Sequence, residues 1–184
     1  TNSEWIVKNQ NKFVIIAAFT ALKTLQKIGV KPDIAVQIDE NDFTTDQMLQ
    51  SLDDLSFLDD TIIFFSASVS KLLFDRFDKS KVYLHEDRTY YKLKKSTLQV
   101  ASVGETILSI SLIFNPTDIY LLGLDLALSE DGKTHSDDHF KATSIDKGKD
   151  QDDDFELTQT TTVKGNLKET ATTTSLFLMS IIVM

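Results

Sequence analysis

The clearest pattern in the chain is SVGETILSISLIFNPTDIYLLGLDLALSEDGKTH, residues 102–135, which we call the deciding stretch. Small polar residues are followed by an apolar segment of helical length, then Pro116, and then the short apolar run IYLL at residues 119–122. This order predicts a helix, a buried strand and a polar loop. In open α/β sheets, ligands bind outside the carboxyl ends of the strands. We therefore expect a site among the residues of this last loop, which include Gly123, Asp125, Asp131, Gly132 and His135.

Upstream of this stretch, apolar runs alternate with segments of helical spacing. The runs FVIIAA, DIAVQI, TIIFFS and VYL predict strands at residues 13–18, 33–38, 61–66 and 82–84. Helical spacing predicts helices at residues 20–29, 46–55, 69–77 and 102–115. Strands that alternate with helices pair in parallel through right-handed crossovers. We expect a single α/β domain: a Rossmann-like, doubly wound, mainly parallel sheet with flanking helices.

The last third of the chain is polar and has little periodicity. Residues 129–167 contain three glycines and predict a functional loop or lid. The threonine-rich residues 158–163 favour a strand within it, and residues 170–184 predict a final helix. Both ends of the sequence are abrupt, so we expect a piece of a longer polypeptide.

Composition excludes several classes of function. The net charge is −9, with 19 basic and 28 acidic residues, which argues against a surface for duplex nucleic acid. There is no cysteine, so thiolate metal sites and cysteine nucleophiles are excluded, and a reducing, cytoplasmic location is expected. No apolar run reaches the ~20 residues that a membrane-spanning helix needs.

Two aspartates follow predicted strands, Asp39 after DIAVQI and Asp125 after IYLLG. If both strands are parallel in one sheet, both carboxylates emerge at the same edge. Such a pair could hold Mg²⁺ against a diphosphate, orient a ribose, or act as a base. The alternative is that each aspartate caps the next helix or turn.

The start of the helix in the deciding stretch has two compatible interpretations. Backbone N–H groups at a helix start favour anions, and Gly104 permits a phosphate to approach closely. Ser102 with Glu105 three positions later also fits a capping box. Neither GxxxxGK[ST] nor GxGxxG occurs in the chain, which weighs against a P-loop or a Rossmann dinucleotide site.

Three histidines are candidates for acid–base or metal chemistry. His85 ends a predicted strand and is expected to be exposed or capping. His135 and His139 lie four residues apart in a polar loop, but HSDDH lacks the helix context and glutamate of HExxH. We therefore expect no zinc site, and His135 is the better candidate for substrate contact or proton transfer.

Several segments together resemble one known family. AAFTALKTLQKIGVKPDIAVQID, then SVGETILSISLIF with DIYLLGLDLAL and DGKTH, then VKGNLKET resemble three consecutive blocks of the motility accessory factor (Maf) family of flagellin glycosyltransferases. The likeness covers nearly the whole sequence. The glycine-rich segment and flanking domains typical of the family are expected outside it, and no histidine follows His139 where related sialyltransferases place a catalytic one.

The resemblance implies a sialyltransferase-like core and a reaction. The activity would be transfer of a nonulosonic acid, of pseudaminic or legionaminic type, from its CMP form onto Ser or Thr of flagellin for flagellar assembly and motility. The wider superfamily also includes enzymes that transfer diphosphate from ATP to a hydroxymethylpterin. A third alternative is a non-catalytic protein that binds flagellin as an export or assembly module.

The resemblance also implies roles for individual residues. Thr20, Ser102, Gly104 and Gly123 would shape the nucleotide crevice, aided by Glu105, Thr106, Asp131 and Gly132 around them. Asp39 and Asp125 would orient ribose, sugar or Mg²⁺, and Lys133 is the nearest basic residue to the leaving phosphate. His135 and Asn166 would face the acceptor, with Asp125 or His135 as the catalytic base.

Overall fold

The computed structural model describes residues 2–39, 46, 48–50, 52, 54–86, 102–134, 159–166 and 168–183. Contacts divide the chain into two compact units, Thr1–Tyr120 and Leu121–Met184.

The first unit is built on a four-stranded parallel sheet. Its strands are β1 (Ile16–Ala18), β2 (Ile34–Gln37), β3 (Ile62–Ser66) and β4 (Val82–His85), in the order β1-β2-β3-β4. Each strand falls on one of the four apolar runs, whose β-branched and aromatic residues favour buried parallel strands. The α/β class with a mainly parallel sheet and flanking helices is therefore confirmed.

Helices precede, connect and follow these strands. They are α1 (Asn2–Asn9), α2 (Leu22–Lys27), α3 (Lys71–Phe74) and α4 (Val103–Ile113). Short 3-10 helices occupy Gln10–Lys12, Phe19–Ala21, Leu55–Leu58 and Lys79–Lys81, and residues 46 and 48–50 are also helical. Helix α1 precedes the first apolar run and was not predicted, whereas α2 and α4 fall within their predicted ranges.

The two faces of the sheet are covered by different helices. On one face, Ala35 and Phe65 pack with Leu22 and Leu25 of α2 and Leu73 of α3 in the larger core cluster. On the other face, alternate residues of β2 pack against α4, which contacts β1 and β2. Side chains on a strand alternate between faces. Strand β2 is buried on both faces, so Ile34, Ala35 and Val36 are apolar, and its one polar residue, Gln37, is buried at the carboxyl end.

Helix α4 ends as its sequence predicts. Asn115 has a φ of +50°, the left-handed conformation that asparagine tolerates at a helix end. Its N–H donates to the carbonyl of Leu112 at 3.0 Å, and Pro116 then prevents continuation of the helix.

The predicted fifth strand at residues 119–122 is wrong. These residues lie in coil, and their side chains are exposed, from 36% at Ile119 to 58% at Tyr120. The ring of Tyr120 packs against Trp5 and Phe13, with centroids 5.6 and 5.2 Å apart. The aromatic ring thus finds a partner beside α1, and the short run gains no strand partner within the described residues.

The second unit contains an antiparallel pair and a helix. Strands β5 (Thr160–Lys164) and β6 (Thr170–Thr174) pair in antiparallel register, and α5 (Ser175–Val183) follows directly. The predicted threonine-rich strand is confirmed at β5. The helix predicted over residues 170–184 is wrong in its first five residues, because a β-branched threonine run favours an extended strand.

The predicted lid, residues 129–167, lies only partly within the described residues. Residues 135–158 are outside them, and the remainder includes a turn at 129–133 and strand β5. Among the helices that the structure describes, none has the length and hydropathy of a membrane-spanning helix.

Candidate functional site

The carboxyl ends of the four parallel strands bring polar side chains to one edge of the first unit. Thr20 lies in the turn after β1, and Asp39 follows β2 by two residues; both are half-buried. Ser66 ends β3 and is buried at 1% exposure, while His85 ends β4 and is followed by the buried Glu86. Parallel strands end at the same edge, so these groups form one polar rim.

A buried amide fixes the direction of the chain at Asp39. The Oε1 atom of Gln37 accepts hydrogen bonds from the backbone N–H groups of Ile38 at 3.0 Å and Asp39 at 3.2 Å. Its Nε2 group donates to the sulfur of Met48 at 3.5 Å. Gln37 is 3% exposed, and burial of an amide is tolerated when its hydrogen bonds are made. The sequence did not predict a role for Gln37, because one polar residue inside an apolar run does not indicate a particular function.

The start of α4 is the predicted capping box. The Ser102 hydroxyl accepts from the backbone N–H of Glu105 at 3.3 Å and donates to the Glu105 carboxylate at 3.4 Å. The Thr106 hydroxyl donates to the Ser102 carbonyl at 3.1 Å. The N–H groups of Val103 and Gly104 have no acceptor within the helix, as in every helix first turn. The cap is thus observed, and anion binding at the same helix start stays a prediction.

Sequence reasoning missed part of this edge. Ser66 and Ser68 place their hydroxyl oxygens 2.7 Å apart, and the Ser68 N–H donates to the Ser66 hydroxyl at 3.1 Å. His85 was expected to be exposed or capping, but only 8% of it is exposed, and its ring stacks on Phe64 with centroids 5.2 Å apart. The sequence indicated only that Ser66 and His85 lie at the ends of predicted strands.

The second unit contains the described residues that were predicted in the loop at the end of the deciding stretch. Gly123 and Gly132 have φ angles of +71° and +77°, which glycine adopts without strain. The Gly132 N–H donates to the Ser129 carbonyl at 3.0 Å, and the Lys133 N–H donates to the Ser129 hydroxyl at 2.9 Å. The two predicted glycines are therefore turn residues, with Gly132 closing the tight turn at residues 129–133.

This loop is held against strand β6. The Thr173 hydroxyl donates to the carbonyl of Leu126 at 2.7 Å, and the Leu128 N–H donates to the carbonyl of Thr172 at 2.8 Å. At the surface, Lys168 binds Glu130 at 2.9 Å, and this hydrogen bond with the ammonium group lowers the pKa of Glu130. The loop after the deciding helix is thus anchored by the block VKGNLKET and the strand after it.

The remaining predicted residues are distributed as follows. Asp125 and Asp131 are exposed, Lys133 is half-buried, and Asn166 is exposed at the β5–β6 turn. His135 lies outside the described residues. Asp39 belongs to the first unit and Asp125 to the second, so the meeting of these two carboxylates stays a prediction.

Metal binding has no support from side-chain grouping within the described residues. Among them, no three or more His, Asp or Glu side chains are arranged to hold an ion. The predicted Mg²⁺ at Asp39 and Asp125 needs residues of both units, so it stays a prediction and no chemical step is assigned to it.

Known proteins share this sequence pattern and this architecture. A family model described as 6-hydroxymethylpterin diphosphokinase MptE-like matches residues 1–131. The chain belongs to the MptE-like family. No curated protein matches this MptE-like chain.

Among solved structures, the Maf glycosyltransferase of Magnetospirillum magneticum AMB-1 is similar to the MptE-like chain, with a TM-score of 0.68 at 18% sequence identity. The match covers 97% of this chain and 26% of that protein, so the chain spans about a quarter of its length. The resemblance to the Maf family is confirmed at the level of the fold.

Proposed function

We propose that this MptE-like chain is the core of a glycosyltransferase that moves a nonulosonic acid from its CMP donor to Ser or Thr of flagellin in the cytoplasm. One observation carries the choice. The family match ends at residue 131, whereas the likeness to a Maf glycosyltransferase continues through nearly all of the chain. Strand β6, which holds the loop of Asp125, therefore belongs with β5 and α5 to the part that resembles the glycosyltransferase.

The proposed reaction is a substitution at the anomeric carbon of the sugar. The acceptor hydroxyl oxygen forms the new bond to that carbon, the bond from carbon to the phosphate oxygen breaks, and CMP leaves with the electron pair. The acceptor proton passes to a base, for which Asp125 and His135 are the candidates. His135 and Asn166 face the acceptor in this scheme.

The leaving phosphate needs donors that are already in place. The proposed donors are the N–H groups at the start of α4, near Ser102 and Gly104, together with Lys133. Glu105 and Thr106 stabilise the helix start from within: both are buried, and both hydrogen bond to Ser102. Thr20 and Asp39 are further proposed contacts in the first unit, Asp39 to the ribose or the sugar. Gly123, Asp131 and Gly132 are the proposed contacts in the second unit.

The direct test is an aspartate substitution in the full-length protein. Asp125→Ala should lower transfer to flagellin by at least about 10²-fold if Asp125 is the base or orients the donor. Asp118→Ala changes another exposed aspartate and serves as the matched control, with unchanged transfer. Mass spectrometry of flagellin detects the sugar on Ser or Thr, and full transfer by Asp125→Ala would remove this residue from the mechanism.

The family description supports a second candidate, an ATP-dependent diphosphokinase acting on a hydroxymethylpterin. The two candidates differ in nucleotide. A ligand that binds only the native state stabilises it by about 2.7 kcal/mol at a hundredfold excess over Kd. A thermal-shift panel of CMP, CDP and ATP, each with and without Mg²⁺, should therefore separate them. Stabilisation by CMP without metal is expected, whereas a response confined to ATP with Mg²⁺ would favour the diphosphokinase.

A further inference from the structure

A second set of polar groups lies on the carboxyl edge of the sheet, outside the residues assigned above. Strands β3 and β4 end side by side, with Ser66 in register with His85. Residues in register on parallel strands point to the same face of the sheet. The Ala67 N–H donates to the carbonyl of His85 at 2.7 Å, so the two strand ends are joined beyond the last residue pair.

These groups lead from the interior to the surface. His85 is 8% exposed, and Ser66 is 1% exposed. Ser68 is exposed, and its hydroxyl lies 2.7 Å from that of Ser66. Phe64 fixes the plane of the His85 ring by stacking at an interplanar angle of 23°. An imidazole and two hydroxyls, each able to donate and accept hydrogen bonds, are thus held at one place.

The spacing of the sheet relates this place to the proposed nucleotide crevice. The residues proposed to hold the nucleotide, Thr20 and the start of α4, belong to the β1 and β2 side, because α4 packs on those two strands. Neighbouring strands lie about 4.8 Å apart, so the ends of β3 and β4 are about 5 and 10 Å from the end of β2, and about 10 and 14 Å from the end of β1. The shorter distances match the reach from a phosphate to the far hydroxyls of the sugar that it carries.

We infer that Ser66, Ser68 and His85 form the subsite for the hydroxyl groups of the donor sugar. The inference rests on the proposed function. Ser68 contacts the sugar, Ser66 holds the Ser68 hydroxyl through their 2.7 Å hydrogen bond, and His85 lies in register beside Ser66. Sugar hydroxyls both donate and accept hydrogen bonds, as the hydroxyls of Ser66 and Ser68 do. It is a binding assignment, and no bond is made or broken at these residues.

The test compares two ligands in the full-length protein. Calorimetry gives the Kd for CMP and for CMP-pseudaminic and CMP-legionaminic acid. Ser68→Ala should weaken binding of the preferred CMP-sugar about tenfold, the value of one hydrogen bond, and leave the Kd for CMP unchanged. Ser80→Ala is the matched control, since Ser80 is also exposed but precedes β4 at the opposite edge.

A second variant tests the buried part of the set. His85→Phe keeps a ring that can stack on Phe64 but removes both ring nitrogens, and it should likewise weaken the CMP-sugar selectively. Equal loss for CMP and CMP-sugar, or no loss in Ser68→Ala, would overturn the subsite while the transferase proposal stands. Wild-type protein that binds neither CMP nor a CMP-sugar would overturn the proposed function itself, and the subsite with it.

Discussion

Four side chains begin helical segments of the first unit by accepting a backbone hydrogen bond. Asp54 and Asp78 accept from the N–H groups two residues later, at 2.9 and 3.0 Å. Ser70 and Ser102 accept from the N–H groups three residues later, at 3.2 and 3.3 Å. Each side chain thereby pairs one of the backbone N–H groups that have no acceptor within the helix at its start. The two carboxylates also favour their ionised form, because a hydrogen bond to a carboxylate stabilises the charge.

The first prediction concerns the pKa of Asp54. The Ser56 hydroxyl, and then the Ser56 backbone N–H, hold this pKa below its ordinary value. Ser56→Ala should raise the pKa of Asp54 part of the way back, since the N–H remains. At Asp78 the backbone N–H of Ser80 is the larger cause, so Ser80→Ala should raise the pKa of Asp78 less. Carbon-13 NMR titration of both carboxyls measures this difference.

The same shift fixes the sign of a pH effect. Because the pKa of Asp54 is lowered in the folded state, its contribution to stability is complete above the ordinary pKa and is lost as the pH falls through the folded value. An Asp54→Asn variant should therefore lose stability relative to wild type at neutral pH, with the difference vanishing in acid. A gap that stays constant down to acidic pH would contradict this cause.

The second prediction concerns Gly165 at the β5–β6 turn. A Cβ atom placed there would lie 2.4 Å from the backbone carbonyl oxygen of Lys168, so backbone has to move. Gly165→Ala should destabilise the second unit by about 1–3 kcal/mol, seen as faster amide hydrogen exchange in β5 and β6. Lys164→Ala, at an exposed strand position, is the control, and equal exchange in both variants would show that the turn adapts freely.

At the scale of single residues, the sequence predicted interactions between residues that are close to each other in the chain. The capping box of Ser102 and Glu105 depends on residues three positions apart, and it is observed. The burial of His85 depends on an element distant in sequence, since its ring stacks on Phe64 of a neighbouring strand. A single sequence does not specify such contacts.

At the scale of elements, α4 shows that the buried and exposed faces of one helix differ in how much they contribute to stability. Ile110 is 2% exposed and packs with Ile34 and Val36 of β2. Leu112, two residues later, is 61% exposed. Residues two apart on a helix face different directions, so the same helix offers a buried and an exposed position of similar size.

The third prediction uses this pair. Ile110→Ala should cost about 2–5 kcal/mol of unfolding free energy, from lost burial and the cavity left behind. Leu112→Ala should change it by less than about 0.5 kcal/mol. Urea unfolding followed by the fluorescence of Trp5, the single tryptophan, reports on the first unit. Similar losses for both variants would contradict the packing of α4 on β2.

Whether a predicted strand forms depends on whether a neighbouring strand is available for pairing. Runs of β-branched and aromatic residues gave β1 to β4, because each strand has a neighbour in sequence order. Residues 119–122 have the same composition but are exposed and form no strand. Hydropathy indicates that a segment favours burial. Which surface is available to bury that segment depends on the whole fold. The threonines of β6 were assigned to a helix because the apolar residues of α5 follow them without a break.

At the scale of the whole molecule, net charge sets which partners are repelled. The chain carries −9, and a duplex carries one negative charge per about 1.7 Å of its axis. Long-range repulsion acts on a nucleotide as well, so the proposed binding of CMP depends on local donors such as the N–H groups at the start of α4. These donors act over hydrogen-bond distances, at which the net charge has little influence.

The fourth prediction follows from this contrast. The 184-residue chain should show no saturable binding to a short fluorescent DNA duplex at about 150 mM salt, where the Debye length is about 8 Å. Fluorescence anisotropy measures it, with a basic DNA-binding protein as the positive control. Binding that saturates and weakens linearly with the logarithm of salt concentration would contradict the prediction. It would show that lysines gather on one surface densely enough to neutralise several phosphates, despite the acidic total.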